Sequence, residues 1–309
     1  MIAPSTGGAL HAYHCYGFDL VSNLPLPHLP AGRSTNSNVT VDFVETAGPI
    51  VAAPIDVSDR LARIAIPGWA RFEVRDGRQI RIEASLAATR EAGLLLLGAP
   101  LAALLYQRGQ TVVRGGVVSR GDRQVLLIGA GGSGVSTLLA TLLEQGWDVQ
   151  CDALVAIDRT ADGPITALPG LPSLKLWRDA SERLGEVRGL DECVRAGSSC
   201  RWVRFDERHI GRRVNPTCVV ELGLWNRGLL AETLSRRHGL ERLLGCRYHP
   251  VYGGRLSAAR DFATLTALAG SIRIGRLLRS WRPFDPRAQL EPFADLTDRL
   301  HDRSGGWAA

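Results

Sequence analysis

The chain has almost no lysine. Lys175 is the only one among the 37 basic residues of a 309-residue sequence, and all the others are arginine. That bias points to a GC-rich bacterial coding sequence. It takes most of the meaning out of the net charge of +6, because a nucleic-acid-binding surface is marked by a clustered basic face and not by a basic composition. No nucleic-acid partner is expected. Long apolar runs are also missing. Met1 to Leu10 has neither a basic stretch nor an apolar one and does not read as a signal peptide. Gly93 to Tyr106 is rich in leucine and alanine, but it is too short to span a bilayer and contains Pro100. It reads as a buried helix, with no membrane association and a cytoplasmic location. The six cysteines (Cys15, Cys151, Cys193, Cys200, Cys218 and Cys246) show no paired metal-type spacing, and in that compartment they stay free thiols. His209 and His249 have no second metal-type residue at ligand spacing. No internal repeat and no low-complexity block is found.

What is present is a globular composition, 45% apolar and 22% charged. The length suits one large domain or a main domain with an appendage. Short strand-like runs open the chain: His11 to Leu20, then the proline-broken Leu24 to Pro30, then Asn38 to Val44. Arg71 to Arg75 and Gln79 to Ile82 flank Asp76-Gly77-Arg78, a hairpin signal. Residues 1–92 therefore read as a small β-rich unit, 93–303 as the main domain and 304–309 as a flexible tail. Leu94 to Leu105 is long enough for a helix and leads into a strand, Thr111 to Ser119, interrupted by Gly115 and Gly116. A Gly121-Asp122 turn precedes the continuous apolar strand Gln124 to Ile128. Then come a glycine loop, a helix from Ser136 to Gln145 stopped by Gly146, and a strand at Leu154 to Ile157, a βαβ unit in outline. Arg201 to Ile210 and Pro216 to Leu222 read as further strands. Phe262, Leu265, Leu268 and Ile272 form a helical stripe in a mainly helical last third.

The loop carries the chemistry. Gly129-Ala130-Gly131-Gly132-Ser133-Gly134-Val135-Ser136-Thr137 has the Walker A spacing, two glycines separated by four residues and a terminal hydroxyl residue, with Val135 at the lysine position. Glycines let such a loop turn tightly and aim successive backbone N–H groups at phosphate oxygens, and the following helix adds its positive N-terminal dipole. Ser136 is the residue type that ligates Mg²⁺ there. The lost element is the point charge on the β and γ phosphates, since valine has neither charge nor donor. The plain alternative is a strand-to-helix turn that only packs.

Several segments together resemble the HPr serine kinase family, and most closely the short kinase-like proteins of lasso-peptide and related peptide-tailoring pathways. They are Tyr16-Gly17-Phe18 with Leu24-Pro25-Leu26-Pro27, Thr111 to Val118, the glycine loop, Gly146 to Ile157, and Leu168-Pro169-Gly170 with Lys175-Leu176-Trp177. The resemblance implies an α/β P-loop, HPr kinase-like domain with a small β-rich N-terminal unit and a helical C-terminal extension. It implies transfer of a phosphoryl group from ATP or GTP, with Mg²⁺, to a serine of a precursor peptide or small protein, alongside other enzymes of the same pathway. Three positions depart from it. Val135 replaces the loop lysine, Arg114 stands where the family has a histidine, and the acidic pair is Asp152-Ala153, so one carboxylate remains of two.

These departures leave two function classes. In the first the chain is a serine kinase-like phosphotransferase. Gly129, Gly131, Gly132, Ser133, Gly134, Val135, Ser136 and Thr137 hold the nucleotide, Ser136 and Asp152 hold the metal, and Asp152 is the base. Arg114 supplies a bidentate cation in place of the lysine. In the second the site is degenerate and the protein is a pseudokinase that binds a peptide or a partner. Arg201, Arg204, Arg208, Arg212 and Arg213 offer a basic stretch on which Arg204 and Arg208 can take an acidic peptide, the alternative being a solvated face. Lys175 is read as a phosphate contact or as a local structural residue. Arg273, Arg276 and Arg279 are read as one solvated face of a helix.

Overall fold

The computed structural model describes residues 9–32, 37–159, 163–184, 191–193, 198–206, 213–280 and 285–302. The chain divides into two compact units, one of Met1–Gln110, Val194–Ala196 and His249–Ala259, the other of Thr111–Cys193, Gly197–Tyr248 and Arg260–Ala309. Both are mixtures of strands and helices.

The first unit holds a seven-stranded sheet in the order β1-β2-β3-β7-β6-β5-β4. Its strands are β1 (His11–Cys15), β2 (Phe18–Ser22), β3 (Val39–Glu45), β4 (Asp56–Val57), β5 (Leu61–Ile66), β6 (Ala70–Arg75) and β7 (Gln79–Ala84). The run expected from His11 to Leu20 is a hairpin, because Tyr16 (φ 49°) and Gly17 (φ 76°) form a left-handed two-residue turn between Cys15 and Phe18. Along β6 and β7, Phe72, Val74, Ile80 and Ile82 are buried. The alternate residues form cross-strand ion pairs such as Arg71 with Glu83 (3.2 Å) and Arg63 with Glu73 (2.9 Å). Helices α1 (Thr89–Leu96) and α2 (Ala99–Gln107) pack against this sheet. The single helix expected over Leu94 to Leu105 is thus two, broken at Leu97-Gly98, where Gly98 has φ −106° and ψ −119°. The expected boundary at residue 92 falls inside α1. Among the described residues no single helix is long and apolar enough to cross a membrane, and the bent pair Leu86–Leu96 and Ala99–Gln107, which passes that test only together, turns by 51°.

The second unit is built on a six-stranded sheet, β11-β9-β10-β17-β19-β18. Its strands are β9 (Gly115–Arg120), β10 (Arg123–Gly129), β11 (Asp148–Asp152), β17 (Cys218–Trp225), β18 (Leu230–Thr233) and β19 (Arg273–Ser280). Strands β10, β17 and β19 run parallel side by side. Burial on both faces makes β10 continuously apolar: Val125 and Leu127 join one core cluster, Leu126 and Ile128 the other. The first cluster takes in Leu138, Leu139 and Leu142 of α3 (Val135–Glu144) with Phe293 and Leu296 of α7 (Leu290–His301). The second takes in Leu243 of α5 (Arg236–Gly245) and Leu265 and Leu268 of α6 (Gly254–Ser271). A Cβ on Gly116 would stand 2.9 Å from the Cys151 carbonyl oxygen and run into Leu139 of α3, so this glycine sets how closely the helix seats.

Two small sheets complete the unit. One is β13-β12-β8, made of β8 (Thr111–Val113), β12 (Val155–Arg159) and β13 (Ile165–Ala167). The other is β14-β16-β15, made of β14 (Ser173–Trp177), β15 (Asp191–Cys193) and β16 (Cys200–Arg204).

Several expectations change. Thr111 to Ser119 is not one strand: the chain leaves β8 at Arg114 and enters β9 in a different sheet, and Gly115 and Gly116 lie inside β9. The strand after α3 in the main sheet is β11, while β12 belongs to another sheet. Phe262 is exposed (55%), and the buried face of α6 instead runs through Asp261, Thr264, Leu265, Leu268 and Ala269. Arg273, Arg276 and Arg279 sit on β19, not on a helix. Short α4 (Arg178–Leu184) comes directly after β14.

Candidate functional site

The glycine loop joins the end of β10 to the start of α3, at the carboxyl edge of three parallel strands. In open α/β sheets this is where ligands bind. Tight turning is visible at Gly132 (φ +86°) and Gly134 (φ +101°), both in the left-handed region. The ring is closed by the Ser133 N–H donating to the Ala130 carbonyl at 3.0 Å. A Cβ on Gly129 would strike the Ser133 hydroxyl and approach the Leu222 carbonyl oxygen to 2.9 Å, so the loop is folded tightly over the strand ends. Ser133 is 4% exposed, and its Oγ has no hydrogen-bond partner among the described residues. A buried hydroxyl left in this way calls for a partner that the described residues do not supply.

Position 135 is the first residue of α3, and the Val135 side chain is buried in the core cluster that includes Val118, Leu138 and Leu277. The missing lysine is therefore a position given over to packing. Thr137 is also buried, and its carbonyl accepts from the Thr141 hydroxyl at 2.9 Å. Neither side chain faces the solvent side of the loop.

Ser136 is different. Its Oγ donates to Asp152 Oδ1 at 3.0 Å, and Asp152 Oδ2 accepts the Lys175 backbone N–H at 2.8 Å. Asp152 ends β11 and is 2% exposed. Burial pushes its carboxyl up to about 6, against the opposing pull of the Lys175 and Ala153 N–H groups, the Ser136 hydroxyl and the Lys175 charge. A hydroxyl and a carboxylate are the donor types that could hold Mg²⁺ together with the phosphates of a bound ligand. The fit holds for an ion bound with a ligand. Among the described residues no group of three His, Cys, Asp or Glu forms an all-protein cage.

The position of the missing second carboxylate is a backbone feature in its own right. Ala153 has φ 65°, and the Leu154 N–H donates across it to the Asp152 carbonyl at 2.7 Å. This is a tight three-residue turn of the strained kind, which alanine adopts at a cost and which glycine, aspartate and asparagine tolerate better.

Among the described residues, Arg114 and Arg279 reach the loop and Lys175 lies near Asp152. Arg114 lies in the gap between β8 and β9, its N–H donating to the Cys246 carbonyl at 2.6 Å. Its guanidinium stacks on the Tyr248 ring at 5.1 Å and reaches to 3.5 Å from where a Cβ on Gly131 would stand. Lys175 places its ammonium 5.9 Å from the centre of the Trp202 ring, close enough to Asp152 to lower that carboxyl. The Lys175 N–H bond to Asp152 is the local structural role, and the ammonium adds positive charge near that carboxylate. Arg279 comes from β19, with Nη2 2.7 Å from the position of a Cβ on Gly134. Sequence reading missed Arg279 because arginine at every third position mimics a helix face; the signal available was Gly270-Ser271, which stops α6 before the arginines begin.

Arg204 lies on β16 opposite Ser173, two pairs along from Lys175 and Trp202 and on the same sheet face. Arg208, with His209 and Arg212, falls outside the described residues. Among the predicted residues the structure thus brings together the loop, Ser136, Asp152 and Arg114, and buries Val135.

No protein-family model matches this chain, and no curated protein does. Among solved structures the chain is similar to the Hpr(Ser) kinase/phosphatase from Coxiella burnetii, at 12% identity and a TM-score of 0.31, over 61% of this chain and 90% of that one. A likeness that loose carries no argument, and the chemistry of the loop has to be read from this chain's own residues.

Proposed function

We propose that this chain is a kinase-like nucleotide-binding protein. Its glycine loop, residues 129–137, takes the phosphates of ATP or GTP, and Ser136 and Asp152 hold Mg²⁺. The γ-phosphoryl group is presented to a serine hydroxyl of a precursor peptide or small protein, with Arg204 on the approach and other proteins of the same peptide-tailoring pathway as partners. The observation that carries this reading is the 3.0 Å Ser136 to Asp152 bond in the first turn of the helix that follows the glycine loop. A loop that merely packs has no need of a buried carboxylate at that point, and burying one is costly. When bound, Mg²⁺ neutralises charge on the phosphates. The loop amides and the Ser133 hydroxyl orient them, and Asp152 remains ionised above a pH of about 6.

A second reading, a pseudokinase that binds nucleotide or partner without transfer, is favoured by one observation. Asp152 is fully engaged and 2% exposed, so it cannot both hold the metal and meet an acceptor hydroxyl, and Ala153 supplies no second carboxylate. The two readings separate in one experiment: calorimetric titration of the purified chain with MgATP and MgGTP, followed by label transfer to serine peptides. Metal-dependent binding with transfer that Asp152→Asn abolishes supports the kinase. Binding without transfer supports the second reading. No binding up to millimolar nucleotide refutes the kinase and leaves only a pseudokinase that binds a partner without nucleotide.

A further inference from the structure

With Val135 in the core, a charge on the phosphates has to come from elsewhere in the fold. Strand register shows from where. Gly129 of β10 pairs with Leu222 of β17, and Leu222 pairs with Leu277 of β19, so Leu277 lies level with the start of the loop. Leu277 belongs to the same core cluster as Leu138 and Leu139, which puts its side chain on the α3 face of the sheet. Strand periodicity repeats that face two residues on, at Arg279, still within β19 but beyond the level at which β10 ends and the loop begins.

The atomic positions agree. Nη2, Nε and Cζ of Arg279 lie 2.7, 3.3 and 3.4 Å from the point where a Cβ on Gly134 would stand. Gly134 caps α3, so the guanidinium lies against the residue that starts the helix. Burial lowers the Arg279 pKa, but arginine stays charged under such conditions. Its weak hydration also makes it the cation least costly to hold half-buried. The second, independent sign of a ligand here is the Ser133 hydroxyl, buried and without a partner among the described residues in the same ring.

We propose that Arg279 supplies the phosphate-binding charge that a lysine at position 135 would have provided, contacting the β and γ phosphates of a nucleoside triphosphate from the β19 side of the loop. This rests on the reading of the loop as a nucleotide site. It assigns the role to Arg279 instead of Arg114, whose guanidinium is stacked on Tyr248 and lies nearer Gly131 than the helix start.

The test is a ligand ladder. Adenosine, ADP, ATP and inorganic triphosphate are titrated with Mg²⁺ into wild type, Arg279→Ala, Arg279→Lys and Arg114→Ala, with a melting curve for each variant. Wild-type affinity is expected to rise with phosphate number. Arg279→Ala is expected to lose roughly 10- to 100-fold toward ATP and triphosphate, the worth of a charge-assisted hydrogen bond, while adenosine binding stays unchanged. Arg279→Lys should recover part of the loss and Arg114→Ala should cost less than Arg279→Ala. A merely structural role would weaken all four ligands alike. Should Arg279→Ala fail to fold, Arg279→Lys decides through its ATP-to-adenosine ratio, which must fall below that of wild type. If wild type binds ATP and the Arg279 variants keep that ratio, the assignment of Arg279 is overturned while the nucleotide site stands. If wild type binds none of the ladder, nor GTP, both fall.

Discussion

Replacing Val135 with lysine would restore the Walker A sequence, and the structure says that it will harm the protein. Val135 is 8% exposed and packed in the core cluster with Val118, Leu138 and Leu277. Burying a valine contributes about 1.5–3 kcal/mol. A lysine stem recovers part of that by running along the same path and turning its ammonium outward, which leaves a net packing loss of about 1–2 kcal/mol. The ammonium then emerges at the positive end of α3, an unfavourable placement worth about 0.3–1 kcal/mol, and close to the Arg279 guanidinium beside Gly134. The sum is about 1–3 kcal/mol, or about 3–12 °C of melting temperature for a unit of this size. Thermal unfolding followed by circular dichroism measures it, with Val135→Ala as the control that removes packing without adding charge. Adding inorganic triphosphate should restore part of the Val135→Lys deficit and none of the Val135→Ala deficit. A Val135→Lys protein as stable as wild type without ligand would refute the reasoning, because it would mean that the position is open to the loop and not committed to the core.

Asp261 tests the electrostatics away from the loop. Burial raises its carboxyl to about 6 against the opposing Thr111 hydroxyl and the Arg247 charge, with Arg247 Nη1 at 3.9 Å. The native state therefore holds a proton that the unfolded chain has released, so stability falls as pH rises from the ordinary value of 3.8 to about 6. Asp261→Asn removes that penalty. Its advantage over wild type in urea unfolding should grow from near zero at pH 4 to about 1–3 kcal/mol at pH 7.5, allowing for the new amide's incomplete pairing. A difference independent of pH would count against it. At Ala153, where φ is 65°, Ala153→Gly should stabilise by about 0.5–1 kcal/mol by relieving the left-handed strain, and Ala153→Val should destabilise. Equal melting temperatures for all three residues would show that the turn relaxes freely.

Much of the fold was legible because local rules governed it. The Asp76-Gly77-Arg78 hairpin, the apolar β10, the glycine loop and the Gly146 stop of α3 are each specified by residues within a few positions of one another. The errors arose where a local pattern has two spatial meanings. Leu94 to Leu105 has the composition of one helix, yet Gly98 lets it fold as two. Arg273, Arg276 and Arg279 repeat at helical spacing, yet pairing with β17 holds them in a strand. Phe262 matches a helical stripe whose buried side lies one residue away. In the candidate site, the loop and Ser136 were readable from spacing and Asp152 was found through resemblance. Arg279 was not, since 145 positions separate it from Gly134 and only strand register joins them.

The sequence by itself therefore determined that this chain has a phosphate-type loop without its lysine, because glycine spacing and helix onset are properties of contiguous residues. The expectation of a second carboxylate at position 153 came from resemblance alone. Only the tertiary structure decided what became of the missing charge. The valine turned into the core, and an arginine from the far end of the chain came to lie on the loop, because parallel pairing of β10, β17 and β19 aligns their carboxyl ends on one edge.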